Sequence, residues 1–388
     1  MSNATVLPTI TFEQLERILP GLWLNNSRCH FYGDIGTGKS KWFEVEAPKI
    51  IAKALGIEQP WVNTFYTHCI ESVDVAGFTV PVKRDDGKMV TRSTIPQFFP
   101  EDGAGEGLIL FDEARQADMA VQKAMAPVIL DGRAGTHQLP ANVRRWQISN
   151  PDGNRAGTIK SPAHKGNREC SYFVKNDPTS LTRYALDRPF KHSTSTSLVP
   201  VKLGGPWNPL WLGFLRFKPG VVFDLDYSLL IDNQPVCTPR SYEAAHDECQ
   251  AIFGDMDSLF TGNSTHDGLV TSVIAANIGM AAATELAAFL KIAEELHTFE
   301  DIVANPTGIK IPDGRRDIAY AYVGMVCSRV TPETAEAVMQ FVDKVMPKEM
   351  QVVTVKTAME KSGGALMNIP SFSKWVQENP ALIHASVL

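Results

Sequence analysis

The chain has 388 residues, two to three times the ~150 residues of an ordinary domain, so two domains and a core that needs no disulfide or metal support are expected. Lys and Arg number 37 against 43 Asp and Glu, a formal charge of -6, which argues against a chain built mainly to coat phosphate backbones. Six cysteines with no CxxC pair and no close metal-ligand spacing read as free thiols of a reducing compartment, so a cytoplasmic location is expected.

Residues 1–20 form an amino-terminal segment in which Glu13, Glu16 and Arg17 stand among scattered apolar residues, without the basic-then-apolar order of a signal peptide. A short helix is expected over 11–19. Arg28 to Tyr32 reads as a strand running into a glycine-rich turn. The helix after it carries Trp42, Val45, Ile50, Ile51 and Leu55, is broken near Pro48 and is closed by Gly56. Strand, glycine loop and helix in that order open a parallel α/β sheet. Trp61 to His68 is a second strand. Phe78 to Val82 and Met89 to Ile95, separated by KRDDGK, predict a hairpin insertion over about 76–95.

Leu108 to Phe111 is a continuous apolar run ending in Asp112 and Glu113, as expected of a strand buried on both faces. A helix from Met119 to Leu130 and strands over Arg144 to Ser149 and Ser171 to Val174 complete an α/β domain placed at 21–195. Beyond the connector STSTSLVPVKLGGPWNP, helical windows at 241–253, 269–296, 314–328 and 333–344 predict an α-helical lid over 205–345, with a carboxyl-terminal extension at 346–388. Leu269 to Leu290 is long enough for a bilayer, but Asn277 and Glu285 interrupt it, so a buried helix and no membrane association are expected.

Gly33-Asp34-Ile35-Gly36-Thr37-Gly38-Lys39-Ser40 fits G-x-x-x-x-G-K-[ST] and lies between a strand and a helix. In such a loop, backbone N–H groups wrap the β-phosphate and the helix amino end adds its dipole. Lys39 would bridge the β- and γ-phosphates, and Ser40 offers its hydroxyl to Mg²⁺. A P-loop needs a further carboxylate on a neighbouring strand for the metal and a base for the attacking water. Asp112 and Glu113 are suited to those two tasks, although an acidic pair after a strand also serves as a helix amino cap. Asn150, ahead of Pro151, can reach between the γ-phosphate and the water, or can simply initiate a turn.

These elements resemble the AAA+ superfamily of ring ATPases. SVDVAGFTVP, the run from FFPEDGAGEG through LILFDEARQADMAVQKAMAPVILDGRAGTHQLP, and WQISNPDGN are similar to its MoxR-type branch, over about residues 20–330 and most densely from 30 to 155. The resemblance implies a P-loop AAA+ parallel sheet flanked by helices and followed by an α-helical lid. It also implies ATP and Mg²⁺, a homo-oligomeric ring, commonly hexameric, and a protein client, with a von Willebrand factor A domain protein as a frequent companion. By the similarity of CTPRSYE to the branch's lid segment, Arg240 is the sensor 2 residue. Arg168, in KGNREC, stands where the family has an Asn-Arg-Phe-like arginine finger, with Glu169 in place of the Phe; Arg183 and Arg155 are alternatives. A nucleic-acid motor or loader is the other reading, supported by Lys83, Arg84, Lys88 and Arg92 on the hairpin and offset by Asp85 and Asp86. His246-Asp247-Glu248-Cys249 holds metal-capable side chains, yet neighbours on a helix point apart and do not converge on one ion. Trp207, Trp211, Phe214 and Phe217 are expected to pack between the domains.

Overall fold

Strands rich in apolar and β-branched residues assemble the amino-terminal part of this computed structural model, which describes residues 7–101, 103–151, 168–192, 202–225 and 234–380. Numbered in chain order, the main strands are β1 (Thr9–Thr11), β2 (Cys29–Tyr32), β3 (Trp61–Tyr66), β6 (Gly107–Asp112), β9 (Val143–Ser149) and β10 (Cys170–Lys175). They form one parallel sheet in the order β1-β10-β2-β9-β6-β3. β6 and β9 are buried along their whole length, which explains why the apolar run of β6 does not alternate.

One face of the sheet presents Phe31, Leu108, Leu110, Trp146 and Ile148 to α1 (Phe12–Leu24) and α3 (Ala47–Leu55). The other presents Ile109, Phe111 and Val143 to α4 (Ser72–Ala76) and α5 (Met119–Asp131). Between α2 (Lys39–Lys41) and α3 the chain makes a π-helical stretch, Trp42–Glu46, and Pro48 follows in the first turn of α3, where its missing N–H costs little. The break expected near Pro48 is therefore a change of helical pitch, not an end. The insertion is an antiparallel hairpin, β4 (Thr79–Lys83) and β5 (Met89–Ser93), outside the main sheet. Its base is held where β7 (Arg133–Ala134) and β8 (His137–Gln138) turn, through the His137 ring to the Ser93 carbonyl at 2.7 Å. Residues 83–89 at its tip are exposed, as their charge requires.

The chain divides into two compact units at Asn176 and Asp177, not near 195. The helix α6 (Pro178–Leu186) buries Leu181, Ala185 and Leu186 in the core of the second unit, which moves the boundary. The second unit contains a short two-stranded ribbon, β11 (Phe190–His192) with β12 (Lys202–Gly204), and its other described elements are helical. At its centre α7 (Pro209–Phe217) packs against α13 (Arg316–Arg329). A Cβ on Gly324 would stand 2.0 Å from the Pro209 carbonyl, and one on Gly213 would stand 2.8 Å from the Tyr320 carbonyl, so only glycine permits this approach. Trp207, Trp211 and Phe214 lie in this core and Phe217 packs against it, correcting the expectation that they pack between domains.

Two further boundaries shift. Leu15, Leu19 and Trp23 of α1 belong to the sheet's core, and β1 extends the sheet, so described residues before 20 are part of the first unit. Beyond 346, α15 (Lys348–Lys361) and α16 (Pro370–Glu378) contribute Met350, Val355, Phe372 and Trp375 to the helical core and are no appendage. The window 269–296 is split at Gly279 into α10 (Ser264–Ile278) and α11 (Met280–Leu290). Among the described residues no helix is long and apolar enough to cross a membrane. Of the expected fold class, the parallel sheet flanked by helices and followed by an α-helical unit is observed.

Candidate active site

In a parallel sheet all strands deliver their carboxyl ends to one edge. Here β2 ends at Tyr32, and the N–H of the next residue, Gly33, donates to the Ser149 carbonyl at 3.2 Å, tying the start of the P-loop to the end of β9. Asp34, Ile35 and Gly36 carry the chain outward, and the Thr37 hydroxyl returns to the Asp34 carbonyl at 2.9 Å. Gly38 caps α2 at φ 86°, a left-handed conformation that glycine adopts without strain. Gly33 has no room for a side chain: a Cβ would meet the Val174 carbonyl at 2.6 Å and the Lys39 chain at 2.9 Å.

Lys39 is only 6% exposed. Its ammonium donates to the carbonyls of Gly33 at 2.6 Å and Asp34 at 2.7 Å, and reaches Asn150 Oδ1 at 3.4 Å. Asn150 therefore does more than start a turn: it stands at the P-loop, at the end of the strand beside β6. Ser40 follows in the first turn of α2.

Asp112 closes β6 and is 5% exposed; its Oδ1 accepts the Glu113 N–H at 2.8 Å. Glu113 has φ 55°, a left-handed backbone in a non-glycine residue, which costs about 1–3 kcal/mol and sets its side chain apart from that of Asp112. The Glu113 carboxylate pairs with the His68 ring in the turn after β3. The neighbouring Thr67, fully buried, donates its hydroxyl to the Asp112 carbonyl at 2.9 Å. Thus the ends of β3 and β6 are coupled twice. The acidic pair is not followed by a helix, since α5 begins only at Met119, so the amino-cap alternative does not apply.

Three further contributors were not anticipated from the sequence. His68 was expected as the last residue of a strand, whereas the strand stops at Tyr66 and leaves His68 in a turn facing Glu113. Asn176, at the carboxyl end of β10, donates its side-chain amide to the Thr37 carbonyl at 3.0 Å. Because C=O and N–H of a trans peptide point opposite ways, this fixes the direction of the Gly38 N–H. His30 on β2 bonds the Ser149 hydroxyl at 2.8 Å beneath the loop, with Tyr32 at 3.0 Å and the Glu169 carboxylate at 3.6 Å. A parallel sheet gathers polar residues at strand ends, which is the signal that could have found His68 and Asn176.

The arginines differ in placement. Arg168 is exposed and precedes β10, at the end of the sheet opposite to the P-loop, so it does not converge with Lys39 within the chain. Arg155 lies outside the described residues. Arg183 is on α6 and Arg240 is in the first turn of α9 (Pro239–Phe253), both in the helical unit. Glu243 does not engage Arg240; its carboxylate accepts from Arg188 at 3.1 Å and from the Tyr184 hydroxyl at 3.0 Å. Arg240 is exposed.

The His246 to Cys249 cluster holds no common centre. His246 accepts the Asn208 N–H at 3.1 Å, Asp247 takes both Arg188 nitrogens at 2.9 and 2.6 Å, Glu248 accepts from Asn277 at 2.7 Å and Cys249 is buried. Burial opposes the Asp247 charge, but hydrogen bonds from His246 and Arg188 outweigh it and hold the carboxyl well below its ordinary range.

No family model and no curated protein matches the chain. Solved structures similar to it include NtrX from Brucella abortus, at 10% identity and TM-score 0.33 over 98% of this chain and 68% of that one. A mutant of RuvB from Thermotoga maritima overlaps at 12% identity and TM-score 0.33, over 76% and 73% of the two chains. The Aeropyrum pernix ORC2 protein, in ADPNP-ADP complexes, overlaps at 13% identity and TM-score 0.34, over 93% and 97%. Likeness this distant carries no argument about function, which rests on the geometry above.

Two substitutions test that geometry. Asn176→Ala frees the Thr37 peptide and should weaken nucleotide binding by about fivefold, the worth of one hydrogen bond of about 1 kcal/mol; calorimetric titration that shows unchanged affinity would mean the loop is fixed by other contacts. His68→Ala removes the ring that the Glu113 carboxylate pairs with and leaves that carboxylate free to turn away from the end of β3. Basal turnover should rise about two- to fivefold at unchanged nucleotide KM, and a fall in steady-state rate would make His68 a contributor to catalysis instead.

Proposed function

We propose that the chain is a Mg²⁺-dependent ATPase of MoxR type, acting as a homo-oligomeric, commonly hexameric, ring that remodels or helps mature a partner protein. The observation that carries the reading is the meeting of Lys39, Asn150 and the Asp112-Glu113 pair at the carboxyl ends of three adjacent parallel strands. Lys39, on leaving the loop carbonyls, would neutralise phosphate charge, and the amides of the loop and of the α2 amino end would cradle the β-phosphate. Glu113 would accept the proton of the attacking water, with Asn150 holding that water against the γ-phosphate.

The Ser40 hydroxyl and the Asp112 Oδ2 are hard oxygen donors, and one carboxylate with one hydroxyl suits Mg²⁺, which keeps several waters and takes the rest of its shell from phosphates. Bound there, the ion would spread the negative charge that builds on the transferred group.

Ring assembly is supported by the arginine placement. Arg168 is exposed at the end of the sheet opposite its own P-loop, a position from which it would serve a neighbouring subunit as the finger, and Arg240, exposed at the start of α9, would be the sensor 2 residue that the resemblance implies. The hairpin, with Phe78, Val80 and Met89 exposed beside its charged tip, is suited to a protein client, and a von Willebrand factor A domain protein is the companion expected from the resemblance.

Lys39→Ala should abolish tight ATP binding, whereas Glu113→Gln should keep binding and lower turnover by about 10²–10⁴; normal affinity in the first or near-normal turnover in the second, measured by equilibrium binding and phosphate release, refutes the assignment. Mixing tests the ring. Glu113→Gln subunits present an intact Arg168 to Arg168→Ala neighbours that retain Glu113, so mixed assemblies should recover turnover that neither variant has alone. Recovery with Arg183→Ala or Arg155→Ala but not with Arg168→Ala would move the finger, and full activity in a verified monomer would remove it.

A further inference from the structure

Cys29 and Cys170 are 141 residues apart in sequence. They are direct partners in the register of β2 and β10, and their sulfurs stand 3.3 Å apart. Neighbouring strands run about 4.8 Å apart, inside the separation of about 4.4–6.8 Å between Cα atoms that disulfides bridge. The two side chains share the sheet face that carries Phe31, Trp146 and Tyr172. Both are free thiols; Cys29 is fully buried and Cys170 is half-buried. The pair sits at the starts of its strands, at the opposite end of the sheet from the P-loop, and has no part in the proposed hydrolysis.

We propose that Cys29 and Cys170 form a peroxide-oxidisable dithiol, with Cys170 as the attacking sulfur and Cys29 as the resolving one. The division of roles follows from access and from the hydrogen bond between them. Cys29 is sealed in the core, so a small oxidant reaches Cys170 first. The hydrogen bond from Cys29 favours the thiolate of Cys170 and, against the opposing effect of burial, brings that thiol down to about 7, while the same contact pushes the Cys29 thiol up.

The steps balance with hydrogen peroxide as the oxidant. The Cys170 thiolate attacks one peroxide oxygen, the O–O bond breaks, hydroxide leaves, and Cys170 becomes a sulfenic acid. The Cys29 sulfur then attacks that sulfenic sulfur, the S–O bond breaks, and the Cys29 proton leaves with the hydroxyl as water. Two thiols have lost two electrons, and one peroxide has become two waters once the first hydroxide is protonated. A thiol reductant reverses the bond by exchange. Closing the sulfurs from 3.3 Å to about 2.05 Å needs a side-chain shift of little more than about 1 Å between two strands already paired at a bridgeable spacing.

The test uses the full chain, reduced, desalted and exposed to dilute hydrogen peroxide. It is then acid-quenched, alkylated under denaturing conditions and mapped by mass spectrometry without reduction. The expected result is a Cys29–Cys170 cross-linked peptide two hydrogens lighter than its parts, lost again on adding dithiothreitol. It should form about tenfold faster than the exposed Cys69 is oxidised. Cys29→Ser should halt at a sulfenic acid on Cys170 that dimedone traps, and Cys170→Ser should leave Cys29 reduced. If the Cys29 variant fails to fold, the wild-type map and the Cys170 variant decide the matter. Oxidation of Cys69 at the same or a higher rate with Cys29 and Cys170 still alkylated, or a cross-link of Cys29 that persists in Cys170→Ser, would overturn the proposal.

Discussion

Because β2, β9 and β6 run parallel, with Tyr32 opposite Ser149 and Phe111 opposite Gln147, their chains leave the sheet at one edge. That register brings Lys39 within 3.4 Å of Asn150, from elements 111 residues apart, and sets Asp112 one strand further on. A slip by one residue would reverse every side chain on a strand and send Asp112 to the other face. The fully buried β6 and β9 prevent the slip, since a polar group moved inward there would lose its partners.

Around this edge the hydrogen bonds are directional constraints more than sources of stability. Thr67 takes the Asp112 carbonyl and Asn176 takes the Thr37 carbonyl, so each fixes the peptide plane of a residue beside the site. The left-handed backbone at Glu113 is held by the Asp112 side chain on its N–H and by Gln116, whose N–H reaches the Glu113 carbonyl at 2.7 Å. Together they leave Asp112 turned to the Glu113 N–H and the Glu113 carboxylate turned to His68.

The helical unit is built on different terms. Its core is set by close packing, with Gly213 and Gly324 letting α7 and α13 approach and Trp207, Trp211 and Tyr242 filling the space beside them. The buried Arg188 takes Glu243 and Asp247 together. Arg240 stands exposed at the start of α9.

The strands of the main sheet apart from β1, the hairpin, the P-loop and the acidic pair were legible in the sequence because each depends on local chemistry. A glycine loop ahead of Lys39 and Ser40, an apolar run before Asp112, and a charged KRDDGK turn state their conformations through neighbouring residues. The placement of Asn150 was legible only through its strand's expected position. The boundary at Asn176, the placing of Trp207 in the helical unit's own core and the docking of α15 and α16 were not, since apolar helix faces do not say which core they join. Cys29 and Cys170 carry no local signal at all. Their spacing in sequence reads as two unrelated thiols, and His68 and Asn176 read as ordinary polar residues after strands. Only the pairing of β10 with β2 and of β3 with β6 brings these side chains to their partners, because in a parallel sheet neighbours are chosen by crossover connections and not by proximity along the chain.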